Sequence, residues 1–334
     1  MKKIVLKWIC LGFVLSFSVI LTTGCVVKDL SRTVEYTVKG DYFLQSDQSD
    51  RGRESFKREV EENPGSALAN YYYGRFLLQE NENKQALKYL KKARDLDQSN
   101  ADYNFWAGVA FGANGMITEE EKSYTRALSI NRKHLQSLIY LGHCRLARKK
   151  YTEALDLYTQ ALDIWPGSPS ALYNRGLILN KLGRTPEERL AWLDYLNYYP
   201  SGDKAQRATD YLNATREYSF RNHTLGKTAV TVEKIWFLPF ESELDNSSYD
   251  SLLVIGNVFS DMKKGVLQII VYQKNNKELA RQRAIAIRKF LLAEFPSISS
   301  KKIGVSWFSE PQKTTIRKKK LTIDESVSFF VTAK

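Results

Sequence analysis

Few side chains in this chain are suited to covalent or metal chemistry. Its 334 residues hold three cysteines (Cys10, Cys25, Cys144) and three scattered histidines (His134, His143, His223), none at a metal-ligand spacing. No glycine-rich phosphate loop, nucleophile elbow or paired-histidine zinc helix appears. The expectation is a protein that binds and is not an enzyme, with no cofactor and no metal. One cysteine stands apart by its context. Lys2, Lys3 and Lys7 precede an uncharged run from Trp8 to Leu21, and Thr22-Thr23-Gly24 then leads into Cys25. That is the layout of a secretory leader with a small-residue cleavage site. Cys144 falls within an expected helix and reads as a small buried apolar residue.

Leu21-Thr22-Thr23-Gly24-Cys25 resembles the lipobox of bacterial lipoproteins, with its leucine one place further from the cysteine than is usual there. The resemblance implies cleavage before Cys25, a diacylglycerol thioether on its sulfur and an acylated amine. Two or more acyl chains hold a protein to a bilayer far better than one. Val26 stands where the family places an inner-membrane retention aspartate, which implies an outer-membrane anchor facing the periplasm. Inner-membrane anchoring is the alternative. An uncleaved helix is a third reading, because Trp8 to Val27 is 20 residues and long enough to cross a bilayer. All of these export the remainder. The formal charge of +13 includes the three leader lysines, and +10 stays on the mature chain. Export makes a nucleic-acid partner unexpected despite that charge.

Glycines recur at 40, 74, 108, 142 and 176, a constant step of 34. Sixteen residues after each stand Phe56, Leu90, Tyr124, Tyr158 and Trp192. Nineteen after each stand Glu59, Ala93, Ala127, Ala161 and Tyr195. Twenty-four after each stand Pro64, Gln98, Arg132, Pro166 and Pro200. The pattern resembles the tetratricopeptide repeat, in which each unit is two antiparallel helices. Units are expected at 33–66, 67–100, 101–134, 135–168 and 169–202. The glycine and alanine would let the two helices approach, the aromatic would fill the gap to the next unit, and the proline would stop the second helix. Residues 203–228 read as a capping helix (Asp203 to Asn213) and a linker.

Stacked repeats form a solenoid with a concave face. In the family, first-helix positions three before and one after the glycine point into that groove. They are Thr37, Tyr71, Phe105, Ile139 and Tyr173, then Asp41, Arg75, Val109, His143 and Leu177. The groove candidates are therefore Tyr71, Arg75, Phe105, Ile139, His143 and Tyr173. They would make an aromatic and apolar surface with a few polar handles, suited to an extended peptide or an amphipathic helix. Packing between helices is the competing role for the aromatics. The lysine and asparagine pattern that clamps a peptide carboxylate in some members is missing.

From 229 to 334 the pattern changes. Val232 to Phe240, Val266 to Tyr272, Ile303 to Phe308 and Val327 to Val331 read as strands. Tyr249 to Met262 and Lys277 to Phe295 read as helices. The expected fold class is thus an all-α tetratricopeptide-repeat solenoid followed by an α+β domain of order β-α-β-α-β-β. Ile235-Trp236-Phe237-Leu238-Pro239-Phe240 and Leu279-Ala280-Arg281-Gln282-Arg283-Ala284 resemble segments of the OmpA-like domain. There, an arginine at the place of Arg283 grips a carboxylate of peptidoglycan as a two-donor fork. The aspartate loop that completes that site has no counterpart between Tyr272 and Leu279, and Asp324-Glu325-Ser326 replaces the closing Asn-Arg-Arg. Arg283 would then be an isolated cation. The run Arg317-Lys318-Lys319-Lys320 reads as a solvated loop, with anionic lipid or glycan as a second reading. The expected function is an envelope scaffold or assembly factor that holds a protein client or complex subunit, and serves a pilus, a secretion channel or outer-membrane assembly. A peptidoglycan-binding linker is the alternative.

Overall fold

A computed structural model describes residues 33–46 and 48–332. The leader and Cys25 lie outside the described residues. The chain divides into two compact units, one reaching to Cys144 and one starting at Arg145.

The first unit is helical. It contains α1 (33–45), α2 (Ser49–Glu62), α3 (Ala67–Gln79), α4 (Asn83–Leu96), α5 (Ala101–Ala113), α6 (Ile117–Ile130) and most of α7 (Leu135–Ala147). Helices α3 and α4 pack as one hairpin and α5 and α6 as the next, with α4 against α5. The glycine column explains the close approach. A Cβ on Gly74 would fall 2.5 Å from Leu90, and one on Gly108 would fall 2.6 Å from Tyr124. The residue sixteen positions on therefore fills the space over its own hairpin's glycine, not the gap to the next unit as expected. Gly40 differs, since its missing side chain makes room for the Tyr72 ring of the following hairpin. Ala93 and Ala127 are fully buried.

Helix starts repeat as well. Ser66 Oγ accepts from Ala69 N–H, Asn100 Oδ1 accepts from Tyr103 N–H, and His134 Nδ1 accepts from Ser137 N–H. These three residues stand 34 apart, and each satisfies a helix N–H that has no partner within its helix.

In the second unit come α8 (Tyr151–Ile164), α9 (Pro169–Leu182), α10 (Thr185–Tyr198) and α11 (Gly202–Ala214). Gly176 again admits its partner, with Trp192 2.8 Å from the would-be Cβ. Helix α11 packs on α10 and also on strands, so it is more than a cap. Strands β1 (Phe220–Leu225), β2 (Thr228–Glu233), β3 (Val266–Gln273), β4 (Ile303–Phe308) and β7 (Glu325–Thr332) form one mixed sheet of order β2-β1-β7-β3-β4. β1 runs parallel to β7, and β3 runs parallel to β4. The β1–β2 and β3–β7 pairs are antiparallel. β5 (Gln312–Ile316) and β6 (Lys319–Ile323) make a separate hairpin. Helices α12 (Tyr249–Ser260) and α13 (Lys277–Glu294) cover the sheet. Leu267, Ile269 and Val271 alternate into the core and meet Ala280, Ala284, Ile287 and Leu291 at helical spacing.

The element order is thus β-β-α-β-α-β-β-β-β, which corrects the expected β-α-β-α-β-β. The sheet begins at Phe220, within the segment read as a linker. The strand expected at Val232 to Phe240 ends at Glu233, and beyond it only Phe237 bridges to Leu244. Pro239 has no N–H to give a ladder, and Phe240 turns the backbone to φ 63°.

Candidate functional site

Within the first unit, the first-helix residues assemble around one guanidinium. Arg75 Nη1 donates to Tyr71 Oη at 2.9 Å. The Arg75 carbon centre lies 4.3 Å from the Trp106 ring and 5.2 Å from the Tyr71 ring, and Asp41 lies 3.7 Å from Nη1. Tyr72 donates its hydroxyl to Asp41 Oδ1 at 2.9 Å and so holds that carboxylate in place. Three successive first helices (α1, α3 and α5) thereby meet at a cation sandwiched by aromatic faces, an arrangement that suits arginine better than lysine. The Arg75 side chain remains 19% exposed. Burial pushes the Tyr71 phenol up to about 12, so it stays protonated.

The candidates from the sequence separate here. Tyr71 is buried but bonded to Arg75. Phe105 is 3% exposed and belongs to the core. Its ring meets Tyr124 at 5.6 Å, His134 at 5.4 Å and Tyr140 at 5.2 Å. Space over Gly108 draws Tyr124 inward, and Phe105 is packed behind it. Ile139 and His143 are half-buried on α7, with the His143 ring 5.8 Å from Tyr140. Tyr173, in the second unit, is half-buried against Trp192 and Tyr195.

Among the accessible aromatics of the first helices are Tyr42, 56% exposed, Tyr140, 41% exposed, and the half-buried Trp106. Trp106 and Tyr140 stand two residues before a repeat glycine, a column that also holds Val38 and Tyr72 and that the sequence pattern does not single out. His134 is structural. Its Nδ1 is an acceptor for Ser137, so its Nε2–H donates to Asp102 Oδ1 at 3.1 Å. That bond holds the Asp102 carboxyl below the usual carboxylate range.

In the second unit Arg283 is not an isolated cation. It is 4% exposed, and its Nε donates to the Glu241 carbonyl at 2.9 Å. Nη1 donates to Gln273 Oε1 at 2.7 Å and to Glu325 Oε1 at 2.8 Å, with the Phe237 ring 4.5 Å away. Glu325 comes from the segment that replaces the closing Asn-Arg-Arg, so the chain's own carboxylate meets the fork. The basic run is likewise engaged. Arg317 and Lys318 form the β5–β6 turn at φ 48° and 65°. Arg317 stacks on Tyr211 at 3.5 Å, and Lys319 Nζ donates to the Ala214 carbonyl. Among the described residues no cluster of His, Cys, Asp and Glu could hold a metal, and no helix is long and apolar enough to cross a membrane. Cys144 is half-buried on α7.

Residues 37–101, 121–169 and 132–197 match the family model of the tetratricopeptide repeat. The heat-shock protein cognate co-chaperone sgt12 of Aspergillus fumigatus is 37% identical over 73 residues, 22% of this chain and 20% of that protein. The chain thus spans about a fifth of that relative's length. Among solved structures, pilF of Pseudomonas aeruginosa aligns with a TM-score of 0.51 at 18% identity, over 55% of this chain and 84% of its own. YrrB, described as a TPR protein with an unusual peptide-binding site, aligns with a TM-score of 0.44 at 17% identity, over 56% and 96%. Tetratricopeptide repeats thus occupy residues 37–101 and 121–197 of a helical array, which is followed by a region of strands in a mixed sheet.

Proposed function

We propose that this protein is an envelope scaffold or assembly factor that binds a segment of a protein client on the first-helix face of its repeats. One observation carries the reading. Arg75 is fixed between Tyr71 and Trp106 and still 19% exposed, and the first helix following that of Trp106 in the same unit carries an exposed aromatic, Tyr140. A rigid aromatic surface with one oriented cation binds peptide at little entropic cost. The short match to a co-chaperone supports a protein client. Lipidation at Cys25, outer-membrane anchoring toward the periplasm, and service to a pilus, secretion or outer-membrane complex belong to the same proposal, on the strength of Leu21-Thr22-Thr23-Gly24-Cys25. The wall-linker alternative needs a free guanidinium at Arg283, and that group is bonded to Glu325.

Selection of displayed random peptides on the purified full chain tests the reading. Enriched peptides should bind saturably. Arg75→Glu and Tyr140→Ala should each weaken them about tenfold, a loss of about 1.4 kcal/mol, and Lys313→Glu should not. Failure to enrich any peptide, or equal loss in the Lys313 control, contradicts it. Replacing Cys25 with Ala tests the anchor, since loss of acylation should release the chain from membranes.

A further inference from the structure

A second site lies where β1, β2 and β7 begin or end together. The cleft there is lined by Tyr218, Arg221, His223, Lys234, Glu325 and Ser326, with Glu233 exposed at its rim. Its charges do not balance inside. Glu325 is taken by Arg283 at 2.8 Å. Glu217 spends Oε1 on its own turn, accepting from Ser219 N–H at 3.0 Å and Ser219 Oγ–H at 2.6 Å. Arg221 has a neutral partner, Gln312 Oε1, at 3.2 Å, and Lys234 Nζ rests 4.0 Å from the Trp236 ring. Among the described residues neither cation has a carboxylate within ion-pair distance. Burial lowers the pKa of both, as expected for charges whose lost hydration has not been replaced.

A third donor faces the same place. The His223 side chain is 6% exposed, and its Nδ1 accepts from Phe329 N–H at 3.2 Å. The proton of the neutral ring is therefore on Nε2. That N–H has no acceptor among the described residues, and the ring lines the cleft. Two cations without a carboxylate at ion-pair distance and the Nε2–H of His223 thus line one cleft, whose own carboxylate, Glu325, is engaged by Arg283. The room is small, about 10 Å³ for the centre of a water-sized group, which admits one such group. One oxygen of a planar carboxylate matches the space and can be presented to an arginine edge.

We propose that this cleft binds a carboxylate-bearing ligand, with one carboxylate oxygen received by Arg221, Lys234 and the Nε2–H of His223. Neither Arg221 nor Lys234 lies in the segments that resemble the OmpA-like domain's site, and the inference does not depend on the repeat face.

Calorimetric titration of the full chain with N-acetylalanine, at constant ionic strength, tests it. Saturable binding is expected, with none for N-acetylalaninamide, which lacks the charge. Arg221→Gln and Lys234→Gln should each weaken binding at least tenfold, and Arg281→Gln on the exposed face of α13 should leave it within twofold. Because Arg221 also holds Gln312, circular dichroism must show each variant folded, and Lys234→Gln decides the matter if Arg221→Gln is not. Inorganic phosphate as competitor should shift the isotherm less than twofold. No saturable heat with N-acetylalanine, equal binding of the amide, full affinity in Lys234→Gln, or displacement by phosphate would each overturn the assignment.

Discussion

Two residues carry consequences that can be measured apart from any ligand. Burial pushes the His223 imidazole down to about 3, while in the unfolded chain it titrates near 6.5. Between these values the unfolded state holds more protons, so stability falls as the pH drops below about 6.5, by up to about 1.4 kcal/mol per pH unit. Urea unfolding at pH 7.0 and 5.5 should show the wild type losing about 1 kcal/mol more than His223→Asn; parallel losses would mean that the ring is not buried neutral. Arg283 ties α13 to β3, β7 and the loop after β2. Arg283→Ala removes four contacts and leaves the Glu241 and Gln273 oxygens without their donor. A loss of about 2–4 kcal/mol is expected, read by the same unfolding assay, with cell-wall sedimentation unchanged. Strong wild-type sedimentation that vanishes in this variant would revive the wall-linker reading.

At the scale of the helical hairpin, the 34-residue register governs both packing and turns. Gly108→Ala would drive a methyl group into Tyr124 and should cost about 1–3 kcal/mol. Gly65→Ala, with nothing nearer than 4.0 Å, should change stability by less than about 0.5 kcal/mol; equal effects would refute the packing role of the column. The turns inside the hairpins share a left-handed residue at Asn81, Gly115, Lys149 and Gly183, again 34 apart. Lys149→Gly should therefore raise stability by about 0.5–1 kcal/mol, measurable as a higher melting temperature. The glycine, aromatic and alanine columns were legible in the sequence because helix contact narrows the side chains at each, despite Leu90, Glu59 and Tyr195. The turn column and the cap column of Ser66, Asn100 and His134 were not, because asparagine, glycine and lysine can take the same backbone angle, and three different acceptors can cap a helix. Strand β1 escaped notice since Phe220-Arg221-Asn222-His223-Thr224-Leu225 is mostly polar. Asn222 Nδ2 anchors it by donating to the Gln206 carbonyl and Asp210 Oδ1 on α11. The β5–β6 hairpin was hidden because Arg317 and Lys318 occupy turn positions that glycine and asparagine usually take. Arg283 was found as a residue, but its partner Glu325 lies 42 positions away and no local pattern links them.

Across the whole molecule, both proposals concern recognition of a bound group. The side chains proposed to hold a group are Arg75 in the first unit and Arg221, Lys234 and His223 in the second. Tyr140 is the residue through which the client proposal meets experiment most directly. It is accessible, on the first-helix face, and near Phe105 and His143. A photo-crosslinking amino acid placed at Tyr140 in the full chain, and in parallel at the 62% exposed Leu190 of α10, should be irradiated in intact cells. The account predicts discrete protein adducts from Tyr140, reduced about tenfold by Arg75→Glu, and none of those adducts from Leu190. No adduct at Tyr140, or the same adducts from both positions, would contradict it.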